Sequence, residues 1–248
     1  MTSAQLRLID RLRWPPVSST VKGSLPVLFF GDLEHARVAT IGLNPSRQEY
    51  LSPNGKELEG PVRRFETLAS LRATDRPSMT NAQCIQAIQT MRAYFGPTKP
   101  VYSWFRSLAR VVEGLGASFV DGSAAHLDLV QEATDPTWSS LPKQDREDLV
   151  VRDLAFLRWQ IEAFDLRVLV CTSATVLDRV LPLVNAVAVS GGEVARVRWK
   201  VAHGRANGRP VGIVGWNIPL ARPTGLDVDG QRRLGSMLRD QLGPAIGM

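Results

Sequence analysis

Val38-Ala39-Thr40-Ile41-Gly42-Leu43-Asn44-Pro45-Ser46 is the stretch on which the reading of this chain turns. Small and β-branched residues from Val38 to Ile41 suit a strand covered on both faces, and Gly42 and Pro45 end it abruptly. Asn44 is thereby set at the carboxyl end of a buried strand, where open α/β sheets keep their ligand crevices. An asparagine that merely holds its own turn is the competing reading.

Working outwards, Leu25–Phe30 reads as a strand before this one. Residues 126–130, 167–171, 194–202 and 212–215 read as strands after it. Helical patterns fall at 4–13, 61–73, 80–95, 103–114, 145–164, 172–181 and 229–242, with a polar loop over 47–60. Strands that alternate with helices predict an α/β fold whose sheet is mostly parallel and covered on both faces. At 248 residues and 44% hydrophobic content the chain can bury one sizeable core. No repeat, low-complexity tract or linker divides it, so 1–248 is expected to form a single domain, with 1–24 an N-terminal helix and link.

Thirty Lys and Arg against 24 Asp and Glu give a net charge of +6, which suits a polyanionic partner. Cys84 and Cys171 lie in apolar or helical runs and read as buried free thiols; two cysteines cannot build a cysteine-ligated zinc or iron–sulfur site. His35, His126 and His203 are scattered, which argues against a histidine metal site. The first residues carry charge without an apolar signal core, and no run is long enough for a bilayer. The expectation is a soluble cytoplasmic protein without membrane contact and without a cofactor.

Gly42-Leu43-Asn44-Pro45-Ser46 resembles the first active-site motif of the uracil-DNA glycosylase superfamily. The likeness is closest to its mismatch-specific and single-strand-selective branches, where Gly-x-Asn-Pro-Gly replaces the Gly-Gln-Asp-Pro-Tyr of the uracil-specific enzymes. The resemblance implies a three-layer α/β/α sandwich around a central, mostly parallel sheet of about four strands. It also implies a monomer that acts on single- or double-stranded DNA. Such an enzyme hydrolyses the N-glycosidic bond of a damaged or modified base after flipping it into a pocket, and leaves an abasic site. Members with four cysteines hold a metal cluster, and this chain cannot.

By that resemblance Asn44 would hold the attacking water, with Gly42, Leu43, Pro45 and Ser46 around the base. A carboxamide cannot take a proton, so Asn44 could only orient the water through its oxygen. Ser46 is small where uracil-specific enzymes carry a tyrosine beside C5, which leaves room for a 5-substituent. Asp128 in His126-Leu127-Asp128-Leu129-Val130 stands where the superfamily places an asparagine that reads the uracil edge. An ionised aspartate only accepts hydrogen bonds and favours the amino group of a cytosine. A 5-substituted cytosine, such as occurs in phage DNA stripped by bacterial members, fits both residues. An edge-of-sheet cap is the plain alternative for Asp128.

The stacking ring is assigned to Tyr50, with Phe65 read as core. The loop Trp216–Leu226 takes the place of the superfamily's second motif in one of two alignments. Asn217 contacts the leaving base or the water in one; in the other Arg222 approaches a phosphate and Leu226 fills the gap in the stack, with Thr224 beside them. Ser173 and Thr175 open a helix after a strand, which suits either a DNA phosphate or plain capping. Arg63, Arg64, Arg196, Arg198, Lys200, Arg205 and Arg209 are further phosphate candidates. A protein of the same fold that binds DNA or a modified base without cutting it is the second functional reading.

Overall fold

A computed structural model describes residues 1–97, 101–220 and 224–243. Six helices and six strands follow one another along these residues: α1 (Ser3–Leu12), β1 (Val38–Gly42), α2 (Asn81–Arg92), α3 (Phe105–Leu115), β2 (Ala124–Asp128), α4 (Lys143–Ala163), β3 (Val168–Cys171), α5 (Ala174–Val180), β4 (Val187–Val194), β5 (Val197–Ala206), β6 (Arg209–Trp216) and α6 (Val228–Leu242). They gather into two compact units. One comprises Met1–Phe30, Asn44–Val101 and Asp128–Ala155; the other comprises Gly31–Leu43, Tyr102–Leu127 and Phe156–Met248. Each unit draws on three separated segments, which is why no linker is visible in the sequence.

The second unit holds the sheet, in the order β2-β1-β3-β6-β5-β4. β1, β3 and β6 run parallel, with Val38 opposite Val168 and Val168 opposite Gly212. β1 and β3, and β6 from Val211 onwards, are buried on both faces, as their aliphatic runs require. β6 then pairs antiparallel with β5, and β5 with β4. The sheet is thus mixed and six-stranded, a correction to a mostly parallel sheet of about four strands. The strand missed was β4: Val187-Ala-Val-Ser-Gly-Gly-Glu-Val is exposed for most of its length and carries no alternation of apolar and polar residues.

Helices cover the sheet because its strands are apolar on both sides. A Cβ on Gly215 would press on Leu177 of α5. Its neighbour Trp216 points the other way and, with Leu108 of α3, lines a small cavity. α3 and α6 cross so closely at Gly114 and Gly235 that a Cβ on either would strike a backbone carbonyl of the other helix. Glycine is needed there for approach, not for its φ.

The first unit is built from α1, α2, the opening turns of α4 and long irregular segments. Thr2 with Gln5, and Thr80 with Gln83, form reciprocal capping boxes at the starts of α1 and α2. Leu25–Phe30 is buried but forms no strand. Pro26 cannot donate to a ladder, and Val27 N–H reaches the Gln131 carbonyl at 2.8 Å. The helix expected over 61–73 is a single 3₁₀ turn, Gly60–Val62, followed by turns in which Arg72 takes a φ of 53°. Among the described residues, no helix is long and apolar enough to cross a membrane.

Candidate active site

β1 ends as its sequence requires. Thr172 donates both its backbone N–H (3.0 Å) and its hydroxyl (2.9 Å) to the Ile41 carbonyl, which closes the ladder one residue before Gly42. Within the strand, the buried Thr40 hydroxyl meets His126 Nδ1 at 2.7 Å, so His126 serves the sheet interior. Gly42 and Pro45 are buried, whereas Leu43, Asn44 and Ser46 are half-buried.

Among the described residues, Asn44 is held through its amide nitrogen alone. Its Nδ2 donates to the Pro45 carbonyl at 3.1 Å, the Glu132 carbonyl at 3.3 Å and the Thr134 hydroxyl at 3.5 Å. Carbonyl oxygens only accept, so the amide nitrogen must face them and the orientation of the group is fixed by chemistry. The carboxamide oxygen is left to accept from elsewhere. Ser46 also shapes the chain beyond it, since its hydroxyl caps the 3₁₀ turn Arg47–Glu49 by accepting from Gln48 N–H at 3.2 Å.

The residue that accepts from Asn44 is itself anchored by buried charge. Arg76 grips both Glu132 oxygens at 2.9 Å and also donates to the Ser24 carbonyl. Arg11 lies 3.6 Å from Glu132 and 2.9 Å from Asp153, and Asp153 accepts Gln131 N–H at 2.8 Å. Burial alone would raise the Glu132 pKa, but Arg76, Arg11 and Arg152 overcome it and hold the carboxylate below its ordinary range. The backbone at Glu132–Thr134 that receives Asn44 is therefore pinned. No local pattern announces this network, because Arg76 and Glu132 are far apart in sequence and each sits in an irregular segment.

A second carboxyl in the same unit was also missed. Glu49 follows the motif by one 3₁₀ turn, its N–H bonded to the Ser46 carbonyl at 2.9 Å. It is only 2% exposed. The Tyr94 hydroxyl donates to both of its oxygens at 2.9 Å, while Arg64 stands off at 3.8 Å and gives its Nη1 to the Gln48 carbonyl. Burial pushes the carboxyl up to about 7, helped by Asp128 and opposed by Tyr94 and Arg64. Asp128, 3% exposed, is thus within electrostatic reach of Glu49. The signal available in sequence was the acid itself, five residues beyond an amide that cannot exchange a proton.

Tyr50 does not offer a stacking face, a correction to the expected assignment. It is 2% exposed, its hydroxyl donates to the Leu25 carbonyl at 2.7 Å, and its ring lies 5.8 Å from Phe65. Phe65 stacks on Tyr94 and meets Phe30 edge-on, so the whole group is core. A separate cleft of about 210 Å³ in this unit is lined by Val17, Ser18, Ser19, Asp145, Asp148, Leu149 and Arg152 and includes no motif residue.

In the sheet unit the remaining candidates fall apart from one another in role. Asn217 accepts Arg198 N–H at 2.9 Å through its side-chain oxygen and returns its own N–H to the Arg198 carbonyl, so this carboxamide ties β5 to the end of β6. That commitment is at odds with a contact to water or base through the same oxygen. Ser173 caps α5 by accepting Val176 N–H at 3.3 Å, and Thr175 is exposed on its first turn. Thr224 is buried and accepts Leu226 N–H at 3.2 Å, while Leu226 is half-buried. Arg222 lies outside the described residues.

Of the basic candidates, Arg196, Arg198, Lys200 and Arg205 are exposed. Arg209 is occupied by the carbonyls of Ile161, in the last turn of α4, and of Phe164 and Leu166 just after it, and Arg63 pairs with Glu66. Cys84 and Cys171 are buried free thiols whose pKa burial raises. Among the described residues, no group of three His, Cys, Asp or Glu is placed to hold a metal. Neither a family model nor a curated protein matches the chain.

Proposed function

We propose that the chain is a DNA glycosylase that hydrolyses the N-glycosidic bond of a flipped pyrimidine, uracil or a 5-substituted cytosine, and leaves an abasic site. The observation that carries this reading is Asn44, at the crest of a buried strand with its amide nitrogen committed to Pro45, Glu132 and Thr134. A carboxamide so anchored presents its oxygen as an acceptor, which is what positions a water without deprotonating it. The likeness of Gly42–Ser46 to the glycosylase motif, the helix-covered α/β sheet and the net charge of +6 point the same way.

In this reading the carbon–nitrogen bond breaks towards an oxocarbenium-like sugar, and the base leaves with the electron pair. Water held by Asn44 adds to the sugar carbon. Asp128, as an acceptor, favours an amino group on the base edge, and the small Ser46 leaves space at C5. Arg222, Thr224, Leu226, Ser173 and Thr175 remain the candidates for DNA contact. The test is incubation with oligonucleotides carrying uracil, a thymine mismatch or 5-substituted cytosine, followed by alkali. Strand cleavage at the modified position supports the reading.

A second reading has its own observation. Asn217 is spent on Arg198 and Tyr50 on the core, so the second motif and the stacking ring of an active enzyme are not both in evidence. A protein that binds a modified base without cutting would retain the same oligonucleotides in a shift assay and leave them alkali-resistant.

A further inference from the structure

The cleft of about 210 Å³ that includes no motif residue lies within the first unit, and its lining is chemically specific. Its floor is apolar: Leu149 belongs to a small core with Val130, Leu141 and Val150, and Val17 packs against that core. Its charged wall is one stripe of α4. Asp148 and Arg152 follow Asp145 by three and seven residues, so the three side chains share a face and span about 10 Å of helix at a rise of 1.5 Å per residue. Both aspartates are exposed, and Arg152 is half-buried.

Arg152 joins the cleft to the buried charges beneath it. Its Nη2 donates to the Pro15 carbonyl at 2.8 Å and lies 3.7 Å from Glu132, and its Nε lies 3.8 Å from Asp153. Among the described residues this cluster holds three guanidiniums, Arg11, Arg76 and Arg152, against two carboxylates, Glu132 and Asp153, which leaves one positive charge over. Arg152 is the member that lines the cleft, and its Nη1 is bonded to no described residue. Asp148, one turn away, accepts from Gln144 Nε2 at 2.8 Å. Along α4 the cleft therefore presents two negative charges and then a positive one.

We propose that this cleft binds a basic α-amino acid, arginine or lysine, at a site separate from the motif residues. Such a ligand carries its charges in the matching order. Its α-carboxylate meets Arg152, its α-ammonium lies beside Asp148, its side-chain cation reaches Asp145, and its methylenes cover Val17 and Leu149. A simple anion would face two aspartates, and a simple cation would face Arg152; a ligand of both signs answers all three. Its single net positive charge also offsets a lining of two carboxylates and one guanidinium.

The experiment is isothermal titration calorimetry of the full chain with L-arginine and L-lysine, beside agmatine, which lacks the carboxylate, and citrulline, which lacks the side-chain charge. Wild type is expected to bind the two amino acids at one site with a Kd on the order of 1 mM or tighter, and agmatine and citrulline about tenfold more weakly. Asp145→Asn and Asp148→Asn, both at exposed positions, should each weaken L-arginine by about tenfold, and Arg152→Gln should erase its advantage over agmatine. Absence of saturable binding by either amino acid overturns the proposal. Equal binding of L-arginine and agmatine by wild type also overturns it, because the cleft would then be an acidic patch that collects cations; this comparison decides the carboxylate end if Arg152→Gln does not fold. L-arginine binding unchanged in both aspartate variants overturns it as well.

Discussion

The two units of the molecule solve burial in opposite ways. In the sheet unit the interior strands β1, β3 and β6 are filled with Val, Ile, Leu, Ala and Gly, and their cohesion is the area of apolar surface removed from water. In the other unit Arg11 on α1, Asp153 on α4, Glu49 on a 3₁₀ turn and Arg76 and Glu132 in irregular segments are all within 2% exposure. Charges in such places cost several kcal/mol each unless answered by partners. A chain that needed only stability would fill these positions with apolar side chains, so the polar interior beside Asn44 marks where the sequence gives up stability for positioning.

Removing one partner from the charged interior should break the contrast most severely. Arg76→Ala leaves Glu132 buried with Arg11 and Arg152 at 3.6 and 3.7 Å, and should cost about 3–5 kcal/mol in denaturant unfolding. Because the Glu132 carbonyl also receives Asn44, base release should fall further than the loss of folded protein explains.

Glu49 gives the next effect, and its sign is fixed. Its pKa is raised in the folded chain, so folding favours the protonated form. That stability is complete below pH 4.5 and is lost as pH climbs through about 7. Wild type should therefore lose roughly 3 kcal/mol relative to Glu49→Gln between pH 4.5 and 7.5, at about 1.4 kcal/mol per tenfold change in proton affinity. Equal pH dependence in the two proteins would contradict the burial of an unneutralised carboxyl.

In the sheet unit the penalty should come from shape alone. Gly235→Ala pushes a methyl into the Val111 carbonyl of α3 and should cost about 1–3 kcal/mol at every pH. Smallest is the surface: Arg198→Ala with Lys200→Ala should alter stability by under about 0.5 kcal/mol. If β5 touches DNA, the same pair should lower the salt slope of binding by about one per residue.

The sequence showed the sheet unit better than its partner for a physical reason. β1, β3 and β6 are continuous aliphatic runs ended by turn residues, a signal that lies within a handful of neighbours. β4 lacked it because an exposed edge strand with Gly191 and Gly192 need not alternate, and Leu25–Phe30 imitated it while serving as buried irregular chain. Asn44 was legible as the tip of a strand. Glu49 and the Arg76–Glu132 pair were not, because their meaning lies in Tyr94, 45 residues from Glu49, and in a grip across 56 residues. Tyr50 was misplaced because proximity in sequence to the motif says nothing about which way a ring turns.

Mass spectrometry of free bases released from uracil- and modified-cytosine-containing DNA, comparing wild type with Asn44→Ala, tests the central claim most directly. Wild type should release base, and the variant should fall by about 10²-fold or more with DNA binding retained. Equal release by the two proteins, or none by wild type from any strand, would contradict the placement of Asn44 at a glycosylase site.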